Sequence, residues 1–139
     1  MHINMMAVLI AVAANFVLGF LWYTPLFGKA WAKEKGFDIN RKPTSGELAK
    51  GMLIMVIGNF FMAYVLAHNN MAWSYVPGAG EMSTTSKVLS SAFFTWLGFY
   101  LPVDMGGVAW EKHSFKLLAI NTVYHFLSLL VVAAILTYM

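Results

Sequence analysis

The chain contains no cysteine in its 139 residues, which excludes disulfides, iron-sulfur clusters and thiol chemistry together. Charge is the second scarcity. Only 11% of residues are Asp, Glu, Lys or Arg and 60% are apolar, against about 25% and 45 to 50% in ordinary soluble domains. Such a balance does not build a soluble globule, and the chain reads as a membrane protein. The net charge of +3 is modest and sits almost wholly in two loops, so it is a topology signal and not a nucleic-acid footprint. Also missing are a nucleophile with its base, a phosphate-cradling glycine loop and a metalloprotease helix. The expectation is therefore no nucleic-acid partner and no enzymatic activity.

What the sequence does have is long apolar runs. A span needs roughly 20 mostly apolar residues. Four fit, at about 3–23, 48–68, 87–103 and 115–138, which predicts one all-α domain over residues 1–139, an integral membrane four-helix bundle. The first span lacks a basic segment before it and a small-residue cleavage site after it, so it is expected to stay attached. Its Asn4, Ala7, Ala11, Asn15, Leu18 and Trp22 share one face, which should point into the bundle, leaving Val8, Leu9, Val12 and Phe16 for lipid. Residues 27–35 read as an amphipathic segment along the interface, with Phe27, Ala30 and Trp31 towards lipid and Lys29, Lys33 and Lys35 towards headgroups. Pro102, Gly106 and Gly107 are expected to stop or kink the third span.

One motif is written twice. Leu18-Gly19-Phe20 is followed by Gly28, Ala30, Trp31 and Lys33, and Leu97-Gly98-Phe99 by Gly107, Ala109, Trp110 and Lys112 at the same spacing. This reads as an internal duplication. It predicts two helical hairpins in parallel repeat, each with an interfacial element after its first helix and with Trp22, Trp31 and Trp110 as interfacial anchors. Basic residues fix the orientation. Lys29, Lys33, Lys35, Arg41, Lys42 and Lys50 belong to the first loop or its edge, Lys112 and Lys116 to the third, and only Lys87 to the second. The positive-inside rule then puts the first and third loops in the cytoplasm and both termini outside.

Every helix carries a polar residue between mid-membrane and the cytoplasmic third. Asn15, Asn59, Thr95, Asn121 and His125 could meet in one layer, with Tyr124 on the same stripe as Asn121 and His125. Interhelical hydrogen bonds of this kind are worth about 0.6 to 2 kcal/mol each, so the layer reads first as glue that sets helix register. The competing reading is a polar cavity or proton path around His125, the titratable group at that depth. The histidines invite a metal or haem, but His2 and His68 belong to the outer surface, His113 to the inner and His125 to the middle. No carboxylate lies near a histidine within a predicted span, so neither metal nor other cofactor is expected. Asp104 and Glu111 fall in the predicted third loop and are expected to pair with Lys112 or Lys116.

Asn4 and Ala7, then Leu18-Gly19-x-x-Trp22-Tyr23-x-Pro25-x-Phe27-Gly28-x-x-Trp31, together with Trp110-Glu111-x-His113-Ser114-Phe115-Lys116-x-x-x-Ile120-Asn121-x-x-Tyr124, resemble the DUF1761 family of short membrane proteins. The resemblance covers nearly the whole chain. It implies a compact bacterial inner-membrane protein of four spans with no established activity to carry over. The leading functional expectation is a non-enzymatic protein that acts through helix-helix association, as a homo-oligomer or as part of a larger membrane complex, with membrane lipids around it. Ala7, Ala11 and Ala14 offer a small face for such contact. A small carrier or channel using the layer around His125 is the alternative, and a binder of lipid or a hydrophobic small molecule the third.

Overall fold

A computed structural model describes residues 2–139. Its helices are α1 (Met5–Leu21), α2 (Gly28–Lys35), α3 (Ser45–Ser74), α4 (Thr84–Thr95), α5 (Leu101–Trp110) and α6 (Phe115–Tyr138). Five-residue π-turns follow α1 (Trp22–Leu26) and join α4 to α5 (Trp96–Tyr100). The fold is all-α. Among the described residues four helical stretches are long and apolar enough to cross a membrane: Met5–Leu26, Ser45–Ser74, Thr84–Trp110 and Phe115–Tyr138.

Local chemistry sets where the helices begin. Asn4, Thr44, Ser83 and Ser114 each accept a hydrogen bond from a backbone N–H three residues on. Thr44 and Glu47 complete a reciprocal capping box. These caps satisfy donors that would otherwise be left bare, at about 1 kcal/mol each. They also explain why α3 and α4 start three residues ahead of the apolar runs, which alone predict starts at 48 and 87. α2 ends on Gly36, whose φ of 76° closes the helix in a left-handed turn that glycine adopts without penalty.

The third span corrects the expectation of an end at 103. Proline lacks an N–H and its ring crowds the carbonyl four residues back. The π-turn takes in one extra residue just before Pro102, with the Leu101 N–H bonded to the Trp96 carbonyl. The helix passes the proline and continues to Trp110, through Gly106 and Gly107, because a helix keeps the backbone paired where no water can reach it. In the first copy of the motif Pro25 lies inside the π-turn. There the chain breaks at Phe27 and restarts as α2. The interfacial element expected after Pro102 is therefore absent. The tryptophans differ as well: Trp31 packs between Tyr23 and Phe37, whereas Trp110 is 89% exposed.

α6 is the central element and touches every other helix, while α1 packs on both α6 and α3. Val8, Ala11 and Val12 of α1 meet Leu129, Val132 and Ala133 of α6, with Ala63 and Leu66 of α3 and Val88 and Ala92 of α4. Val8 and Val12, expected to face lipid, are thus in the core: the buried stripe of α1 is broader than its small residues alone. α3 is barely held. Only Asn59, Ala63 and Leu66 are buried in its 30 residues, and Met52 and Met55, on the same helix, are exposed.

Candidate polar site at the α5–α6 contact

The polar residues divide into separate groups. Asn15 and Asn59 join α1 to α3 through a 2.8 Å amide-amide hydrogen bond. Both are almost fully buried, and Asn15 Oδ1 and Asn59 Nδ2 have no partner among the described residues. Nothing titrates there and no helix beyond α1 and α3 shares the bond. Exchanging Asn15 for leucine is expected to cost about 1 to 2 kcal/mol by stranding the Asn59 amide, and the Asn15→Leu/Asn59→Leu pair less than either single change. Unfolding in detergent across the full double-mutant cycle checks this.

The second group lies where the first π-turn meets α6. That turn places two consecutive side chains on α6: Trp22 Nε1 donates to the Ile120 carbonyl at 3.0 Å, and the Tyr23 hydroxyl donates to Asn121 Oδ1 at 2.8 Å. Tyr124, 5% exposed, stands edge-on to Tyr23 with ring centres 4.9 Å apart. Trp22, expected as an interfacial anchor, is instead a buried strut, its ring tilted against Phe27 with centres 4.4 Å apart. Thr95 shares no hydrogen bond with any member of the expected layer; beside it Trp96 Nε1 donates to the Thr122 carbonyl and hydroxyl.

The third group was hidden by the misplaced end of the third span. Because α5 continues past Pro102, Asp104 lies inside a helix and faces α6, where its Oδ2 sits 2.7 Å from His125 Nδ1. The carboxylate side chain is 11% exposed and the imidazole 27%. Asp104 therefore does not pair with Lys112 or Lys116 as expected; Lys116 lies 3.9 Å from Glu34 of α2. A carboxylate that accepts from Nδ1 fixes the ring orientation and leaves Nε2 for other chemistry. Tyr100 packs on the His125 ring at 5.0 Å and Tyr124 at 5.6 Å. Asp104 is the sole acidic residue between Lys87 and Trp110, and only the length of that run could have signalled its place.

Beside the pair is a pocket of about 190 Å³ lined by Val103, Asp104, Gly107, Glu111, His113, Leu118 and Asn121. His113 Nε2 lies 3.3 Å from a Glu111 carboxylate oxygen at the mouth. A larger groove of about 490 Å³ runs over α2 and the turn after it, between Lys29, Lys33, Phe37 and Ile39, but it has no buried polar group. Among the described residues no three His, Asp or Glu side chains are grouped so as to hold a metal ion.

Four apolar helices with an acid, an imidazole and a polar pocket between two of them define a small polytopic membrane protein. Residues 6–137 match the family described as "Protein of unknown function (DUF1761)", and the chain belongs to it. No curated protein and no solved structure shows a match to the chain.

Proposed function

We propose that the protein is a non-enzymatic, proton-responsive carrier of a small polar solute, with Asp104 and His125 as its working pair. The observation that supports this reading is the 2.7 Å carboxylate-imidazole contact beside a pocket, on helices otherwise made for lipid. Ionisable groups at that depth are costly and mark substrate or proton pathways by default. Histidine adds a side chain that gains and loses charge near neutral pH. In this reading the chain crosses a bacterial inner membrane four times, with its basic first and third loops in the cytoplasm. The pocket then opens to the cytoplasm and both termini face outward. The shared Leu-Gly-Phe and Gly-x-Ala-Trp elements support descent of the two halves from one helical hairpin.

The test is a charge-displacement recording on proteoliposomes adsorbed to a solid support. A rapid step from alkaline to mildly acidic pH is expected to move charge in the wild type and not in Asp104→Asn or His125→Gln. Wild-type traces identical to those of empty liposomes would remove the reading.

A second reading, association with another copy or a larger complex, draws on α3. Every residue from Ser45 to Gly58 is exposed, although the helix is strongly apolar. The small face of α1 does not serve that purpose, since Ala7 and Ala11 are fully buried within the chain. The particle mass in mild detergent separates a monomer in lipid from an assembly.

A further inference from the structure

The turn between α5 and α6 is built in an unusual way. Lys112 has a φ of 59°, a left-handed conformation in which non-glycine residues are uncommon. The Glu111 and His113 N–H groups both donate to the Gly107 carbonyl, at 3.0 and 3.1 Å. This reversal folds the His113 ring back over α5, directly onto Gly107. Any Cβ at position 107 would overlap the imidazole. A lysine in a left-handed turn and a glycine with no room for a methyl thus combine to hold one histidine in the lining of the pocket. Asp104 lines the same pocket.

We propose that His113, held by Glu111, is the proton inlet of the Asp104–His125 pair, an inference that rests on the reading of that pair given above. At the aqueous side His113 takes up a proton, with the Glu111 carboxylate 3.3 Å from its Nε2. His113 then gives up the proton across the pocket and Asp104–His125 gains it; no other bond is made or broken. The charged and titratable groups around this route are few. Glu111 and Lys112 lie in the same turn and Asp104 on α5. On α6, Lys116 is drawn away from the pocket towards Glu34 of α2, which also accepts from Ser114. Around His125 stand Tyr100 and Tyr124, with Tyr23 one hydrogen bond removed through Asn121. Glu111, His113 and Asp104 line one cavity, and Asp104 carries the route on to His125.

The same pH-step recording separates inlet from acceptor. His113→Ala is expected to leave the displaced charge intact but slow its rise at least about tenfold, the low end for loss of a positioned proton-transfer group. Free imidazole added to the bath is expected to restore the fast rise, which a purely structural role would not allow. Gly107→Ala, which keeps the imidazole but displaces it, is expected to give the slow rise as well. Full charge with an unchanged rise in His113→Ala overturns the inlet while leaving the working pair standing. A slow rise that imidazole does not rescue also overturns it. No displaced charge in the wild type removes the pair and the inlet together.

Discussion

Exchanging Asp104 for leucine is expected to destabilise the protein by about 2 kcal/mol and to silence the pH-step response, whereas asparagine is expected to silence the response at a cost below about 1 kcal/mol. Leucine leaves the His125 Nδ1–H, now bonded at 2.7 Å, with no acceptor, and an orphaned donor costs about 1 to 3 kcal/mol. The 27% exposure of the ring keeps the figure from the upper end, since Nε2 can still be hydrated. Asparagine retains an acceptor of the same length but cannot carry the carboxylate's charge or take up a proton. Thermal unfolding in detergent together with the recording gives both quantities on one sample. Equal losses of stability for the two substitutions would mean that the pair is held by charge and not by the hydrogen bond.

Gly28 and Gly98 are expected to respond to alanine in opposite directions, although both belong to the duplicated motif. A Cβ at Gly28 would stand 2.5 Å from the Tyr23 carbonyl oxygen and 3.0 Å from its carbon. Those are backbone atoms and cannot swing aside. Relief requires opening the π-turn that aims Trp22 and Tyr23 at α6, so a loss of about 3 kcal/mol is expected, the upper range for overpacking. At Gly98 nothing lies within 4 Å. Alanine there is expected to stabilise by about 0.5 to 1 kcal/mol, the ordinary gain over glycine in a helix. Tryptophan fluorescence on heating reports both, because Trp22 and Trp96 lie next to the two sites. A destabilised Gly98→Ala would point to a neighbouring copy packed on that face.

The helices were legible because each is an apolar run longer than a soluble protein tolerates, and α6 was placed at both ends. Starts were less so. Thr44-Ser45-Gly46-Glu47 carries the spacing of a capping box, and Ser83 that of a cap, but hydropathy does not register either. Asn15 and Asn59 could be seen as partners in depth. What no periodicity revealed was that they meet apart from His125, since that depends on which helix each asparagine turns towards. Asp104 was lost for one reason: a proline was read as a helix end where the backbone had room to widen. With the acid assigned to a loop, His125 was left without a carboxylate.

That widened turn has a consequence for descent. An α-helix with one residue fewer between Trp96 and Tyr100 would carry Asp104 about 100° around the axis, away from His125, where a lone carboxylate in hydrocarbon has nothing to offset its desolvation. Acid and inserted residue are therefore expected to be inherited as a unit. A lineage that lost the insertion would have to lose the acid with it, so among relatives the two should be found together or not at all.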